Sequence, residues 1–113
     1  MIQDSKGYIP STTGSYVTVL TVPEGYHCKV TYFLAAASGA VTIDARWSDG
    51  ADYTFLHSKN MNAGDLVEFG GEVGKFLVMH AGDTIDIQCS STSATFIISY
   101  ELYPYFWIVT GKV

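Results

Sequence analysis

Val41-Thr42-Ile43-Asp44-Ala45-Arg46-Trp47 alternates apolar and polar side chains without a break. Successive residues of an extended chain point to opposite faces, so Val41, Ile43, Ala45 and Trp47 share one side and Thr42, Asp44 and Arg46 the other. That is the pattern of a strand with one face on a core and one in water. Asp49-Gly50 follows at once, a strong hairpin signal because both central positions of a two-residue type I′ turn need positive φ. A partner strand is expected to return antiparallel over about 51–58.

The same period of two extends outward in both directions. In Tyr26–Ala36 one parity carries Cys28, Val30, Tyr32 and Leu34 and the other His27, Lys29 and Thr31, until Phe33 blurs the pattern. Ile85, Ile87 and Cys89 oppose Thr84, Asp86 and Gln88, and Phe96, Ile98, Tyr100 and Leu102 share a face. No window of about 11 or more residues carries a helical stripe. Turn residues separate the runs: Pro23-Glu24-Gly25, Ser38-Gly39, Asp49-Gly50, Asn62–Asp65, Gly70-Gly71, Ala81–Asp83 and Ser90–Ser93. They leave about eight strands, near 15–22, 26–37, 40–48, 51–58, 65–69, 75–80, 83–89 and 94–103. Met61-Asn62-Ala63-Gly64-Asp65 is echoed by Met79-His80-Ala81-Gly82-Asp83, which reads as one turn used twice, with Gly supplying the unusual φ and Asp bonding nearby N–H groups. Many short strands at regular spacing with no helix between them predict an all-β fold, an antiparallel β-sandwich of jelly-roll type. It should span 15–103, with a polar N-terminal arm over 1–14 and an aromatic tail over 104–113 lying outside it.

Composition narrows function by exclusion. The 113 residues are 48% hydrophobic and 15% charged, enough for one core and far from a disordered chain. The net charge is −5 and the Lys and Arg residues are scattered, so the electrostatic footprint of a nucleic-acid binder is missing. The longest apolar runs, such as Leu102–Val109, fall well short of the roughly 18–20 residues of a membrane span, and the first residues lack a signal-peptide pattern. Production in a cytoplasm, with no membrane partner, is expected. In such a reducing compartment Cys28 and Cys89 should be buried free thiols.

No catalytic constellation survives strand geometry. His27 adjoins Cys28, yet neighbours on a strand point to opposite faces, so the pair cannot work as base and nucleophile. Elbow, phosphate-loop and zinc-helix motifs are absent, and His27, His57 and His80 share no metal-ligand spacing. Asp44, Asp49 and Asp52 around Trp47 form the most site-like cluster, able in principle to hold a sugar or calcium. Asp49 is accounted for by its turn, however, and the parity of Trp47 places it in the core. The expectation is a non-enzymatic protein that needs no cofactor or metal. The tail is more informative: Tyr103, Tyr105, Phe106, Trp107 and Ile108 form an uncharged run at a chain end, where residues are usually polar. Either it packs back on its own sandwich or it docks on a neighbouring subunit.

Val22-Pro23-Glu24-Gly25-Tyr26, Ala37-Ser38-Gly39, Ala45-Arg46-Trp47, Lys59–Asp65, Ala81-Gly82-Asp83 and Glu101–Pro104 together resemble small β-sandwich virion proteins of tailed bacteriophages, most of all short-tailed phages of marine cyanobacteria. The resemblance covers roughly 15–104. It implies a structural protein of the virion that decorates or cements the capsid, with the major capsid protein or other virion proteins as partners, several copies or a homo-oligomer on the particle, and no catalytic residues. The alternatives are a tail or neck component, and a carbohydrate-binding module that touches a host surface through Trp47 and Tyr53.

Overall fold

A computed structural model describes residues 2–10, 13–70 and 76–104, except for the side chains of 53–57. Among these residues the chain forms nine strands and no helix: β1 (Ile2–Tyr8), β2 (Val17–Thr21), β3 (Tyr26–Ala37), β4 (Val41–Ser48), β5 (Tyr53–Met61), β6 (Leu66–Gly70), β7 (Leu77–Met79), β8 (Thr84–Cys89) and β9 (Ala94–Pro104). They make two antiparallel sheets. The first has the order β1-β9-β3-β6, with β7 also on β3, and the second the order β2-β8-β4-β5. β6 pairs with Tyr32–Ala36 and β7 with Cys28–Val30, so the two short strands fill one edge of β3 in succession.

The strands lie where period two puts them, because burying one parity from each sheet is what holds the two layers together. The first sheet contributes Cys28, Val30, Phe33, Ala35, Phe96, Ile98 and Tyr100 to the interior, and the second contributes Leu20, Ile43, Ala45, Ile85, Ile87 and Cys89. Among the described residues Phe33 and Phe96 are the largest side chains fully enclosed, their ring centroids 6.1 Å apart. The blurred alternation at Phe33 has a structural cause: the β3–β9 register shifts between Val30 and Tyr32. A bulge there places two residues opposite one and turns Phe33 inward.

Two expectations are corrected. The stretch read as an arm outside the sandwich supplies β1, which pairs with β9 from Ile2↔Leu102 to Tyr8↔Phe96. Backbone hydrogen bonding to an open edge forms this strand; side-chain burial does not, since only Tyr8 is even half-buried. The connection from β4 to β5 is longer than a two-residue type I′ turn, running from Ser48 to Tyr53. Gly50 has φ +97°, and among the described residues no non-glycine has positive φ. The Asp49 carboxylate instead accepts the N–H groups of Ala51 (3.0 Å) and Asp52 (2.8 Å), closing a wider loop. Those two bonds hold its carboxyl below the usual carboxylate range.

The repeated turn is one structure used twice. Gly64 and Gly82 have φ +89° and +87°, as the third position of a type II turn requires. Asp65 N–H donates to the Asn62 carbonyl and its carboxylate accepts the Asn62 N–H; Asp83 makes the same two bonds with His80. Each copy then grips one strand-end residue with two backbone bonds. Gly64 N–H and the Asp65 carbonyl bond Ala37, and Gly82 N–H and the Asp83 carbonyl bond Val22. The two copies thus anchor the end of β3 and the residue after β2.

Candidate interaction surface

The residues singled out for catalysis or ligation separate as strand geometry requires. Cys28 lies in the core, where burial pushes its thiol up to about 11, while His27 faces out. His27 instead meets His80, their Nδ1 atoms 3.0 Å apart with one ring donating and the other accepting, in an edge-on arrangement. The side chain of His57 lies outside the described residues. Among the described residues no three His, Cys, Asp or Glu side chains are placed to share a metal ion.

The cluster around Trp47 is likewise committed to structure. The Trp47 ring is half-buried against the core and its Nε1–H donates to Asp83 at 3.1 Å. Asp44 accepts the Ser58 hydroxyl. The side chain of Tyr53 is outside the description.

Outside the core the two sheets differ in character. On the second sheet the outward residues of β4 and β8 are polar, and several of them bond across strands. Asp86, buried despite its charge, accepts the Thr18 hydroxyl at 2.7 Å and faces Arg46 Nε at 3.4 Å, while the Arg46 guanidinium lies 3.7 Å from the Tyr16 ring centre. Thr42 donates to Asn60 at 2.6 Å.

On the first sheet β9, β3 and β6 bring apolar side chains together on the outside. Ile97 stands opposite Leu34, and Leu66 opposite Ala36, two residues along β3. Leu66 is 50% exposed and Ile97 43%. Glu68, opposite Leu34, borders the row and accepts a hydrogen bond from Tyr32, whose hydroxyl pKa is raised by burial and then by that carboxylate. Toward the other end of the sheet Lys29 Nζ sits 4.2 Å over the Phe76 ring, and Val78 is exposed.

Of the aromatic residues proposed as an interface, Tyr103 is half-buried near the end of β9, opposite His27. Its hydroxyl donates to Glu101 at 2.7 Å, and this bond raises the tyrosine pKa and lowers that of the carboxylate. Tyr105, Phe106, Trp107 and Ile108 lie outside the described residues. Alternation alone did not single out Leu34, Leu66 and Ile97. Their signal is the apolar doublets Phe33-Leu34, Leu66-Val67 and Ile97-Ile98: a strand with only one face to bury has no need of two successive large apolar residues. The chain matches no family model and no curated protein.

Proposed function

We propose that this chain is a non-enzymatic structural protein of a bacteriophage virion, a jelly-roll decoration or cement protein that seats the outer face of its first sheet on the assembled shell. The observation that carries the reading is the apolar row of Leu34, Ala36, Leu66 and Ile97 on the outside of a closed sandwich. A single exposed apolar side chain is ordinary, whereas a contiguous set framed by polar groups is the mark of a surface that a partner covers. Strand order supports the jelly-roll reading, since the chain crosses repeatedly between the layers β1-β9-β3-β6 and β2-β8-β4-β5. The resemblance to phage virion sandwiches supplies the partner: its residues include the Ala81–Asp83 turn bonded to Val22 and the Gly64-Asp65 turn bonded to Ala37. Tyr103, Tyr105, Phe106, Trp107 and Ile108 are proposed as a further part of the same contact. A sugar-binding role is disfavoured because the Trp47 ring is spent on Asp83 and the core.

The test is co-sedimentation with shells of the major capsid protein. Leu66→Asp and Ile97→Asp each remove an apolar group that a bound shell would cover and leave a charge without a partner there, which should weaken attachment by about tenfold or more. Both positions are half-exposed in the free protein, so melting should shift by only a few degrees. Undiminished sedimentation of both variants would reject this face, and image reconstruction showing density on the tail or neck alone would reject the shell.

A further inference from the structure

β1 is an open edge of the first sheet: β9 holds one side of it, and among the described strands none pairs with the other. The direction of its backbone groups follows from its neighbour. The Ser99 carbonyl accepts the Thr31 hydroxyl from β3 at 3.2 Å. In an antiparallel strand the N–H and C=O of one residue point the same way, so Ser99 spends both toward β3. Ser5 stands opposite Ser99 and therefore turns its own N–H and C=O to the open edge, as do Gln3 and Gly7 by alternation. The Asp4 carboxylate covers the Ser5 N–H at 2.8 Å.

The side chains of Ile2, Asp4, Lys6 and Tyr8 have the opposite parity and lie on the core side of the sheet, paired with Leu102, Tyr100, Ile98 and Phe96. Asp4 Oδ2 accepts the Tyr100 hydroxyl at 3.1 Å, and Lys6 Nζ is 6.0 Å from the same ring. Charges on the inward side of an edge strand ordinarily repel additional strands, which would cover them without a partner. Here the two charges are opposite in sign and sit symmetrically about Ser5. One strand satisfies both, and it is β1 itself. In the antiparallel register that sets Ser5 against Ser5, Asp4 faces Lys6 of the second copy and Lys6 faces its Asp4. Ile2 then faces Tyr8, and Gln3 faces Gly7. A slip of two residues either way opposes Lys6 to Lys6 or Asp4 to Asp4, so charge fixes the register.

We propose that β1 is a self-recognition edge through which two copies of this chain join, antiparallel about a two-fold axis at Ser5, into one continuous sheet. On pairing, the Ser5 N–H passes from the Asp4 carboxylate to the Ser5 carbonyl of the second copy. That frees Asp4 Oδ1 for the incoming lysine. The contact is isologous, as a two-fold dimer requires, and it does not depend on the shell reading.

Sedimentation velocity across a concentration series tests it on the full chain. Asp4→Lys and Lys6→Asp each turn two attractive contacts into two repulsive ones, and either should weaken dimerisation by about tenfold or more. Mixing the two variants, one edge all-positive and the other all-negative, should restore a heterodimer, and the double exchange Asp4→Lys with Lys6→Asp should restore the homodimer. Under mild oxidation Ser5→Cys should cross-link two copies, because the new thiols meet at the axis, whereas Gln3→Cys should not. If a single variant fails to fold, the double exchange and Ser5→Cys decide. A wild-type monomer at every concentration, or a dimer indifferent to all these changes, overturns the proposal.

Discussion

Asp83 and Asp65 occupy the same position in two copies of one turn, and comparing their alanine variants isolates what a single indole contributes. Each carboxylate accepts one turn N–H, from His80 at 2.9 Å and from Asn62 at 2.8 Å. Asp83 alone also accepts Trp47 Nε1–H, at 3.1 Å, and it is 6% exposed. Losing the turn bond should cost about 1 kcal/mol in either copy, the usual scale for an Asp that caps backbone N–H groups. Asp83→Ala loses in addition a bond to a charged acceptor, about 1.5–3 kcal/mol, and leaves the part-buried indole N–H without that acceptor. The sum is about 3–5 kcal/mol for Asp83→Ala against about 1 for Asp65→Ala. For a chain of this size that corresponds to melting temperatures lower by roughly 12–20 °C and roughly 4 °C. Urea unfolding of both variants measures the difference, and a cycle with Trp47→Phe should return a coupling of about 1–2 kcal/mol between Trp47 and Asp83. If the two alanine variants fall within about 0.5 kcal/mol of each other, the Trp47–Asp83 bond contributes nothing and the account of the turn is wrong.

The two thiols give a pH signature. Burial raises the Cys28 pKa to about 11 in the folded state from 9.0, so the unfolded chain loses its proton first; the folded state then binds more protons and stability must fall as pH rises from about 9 to 11. Cys89 shifts the same way, through burial and then the nearby Asp44 charge. Urea midpoints should decline over that window, less steeply in Cys28→Ala, and iodoacetamide at pH 8 should label both thiols only after unfolding; equal slopes in the two proteins would remove Cys28 as the cause. Deleting 105–113 should leave the sandwich folded, with a melting shift of at most about 4 °C, while sharply reducing co-sedimentation with shells. Global unfolding of the shortened chain would assign the tail to the protein's own core.

How much of this was legible depends on which force forms each element. β4 and β8 are formed by burial, and burial writes a parity into the sequence: Val41, Ile43 and Ala45 alternate with polar residues, as do Ile85, Ile87 and Cys89. β1 is formed by backbone bonds to β9, and backbone bonds leave no mark on side-chain type, so Gln3-Asp4-Ser5-Lys6-Gly7 reads as an arm. The repeated turn was readable because Gly at positive φ and a bonding Asp are chemical requirements of the turn itself. Its grip on Ala37 and Val22 was not, since those partners are set by the packing of distant strands. His27 and His80 meet for a similar reason: β7 pairs with β3 so that Met79 stands opposite Cys28, which brings the flanking histidines together.

The interaction surface follows from the same logic carried one layer further. Phe33-Leu34, Leu66-Val67 and Ile97-Ile98 lie on three neighbouring strands of the first sheet, so the sheet is apolar on both faces at that point. The second sheet has no such region among its described residues, its outward positions on β4 and β8 being Thr42, Asp44, Arg46, Thr84, Asp86 and Gln88. Leftover hydrophobicity would scatter over both sheets; concentration on one is what the proposed shell contact would cover. In the proposed pairing through β1 the two-fold axis stands perpendicular to the joined sheet. Such an axis keeps like faces on the same side, so the Leu34, Leu66 and Ile97 rows of both copies point toward one surface. On the proposed shell reading, two weak patches held at a fixed spacing would engage a repeating shell together, the second contact forming at an effective concentration far above that of free protein. Breaking β1 pairing with a single charge reversal should therefore weaken shell attachment as well, although neither Asp4 nor Lys6 lies on the face proposed to bind.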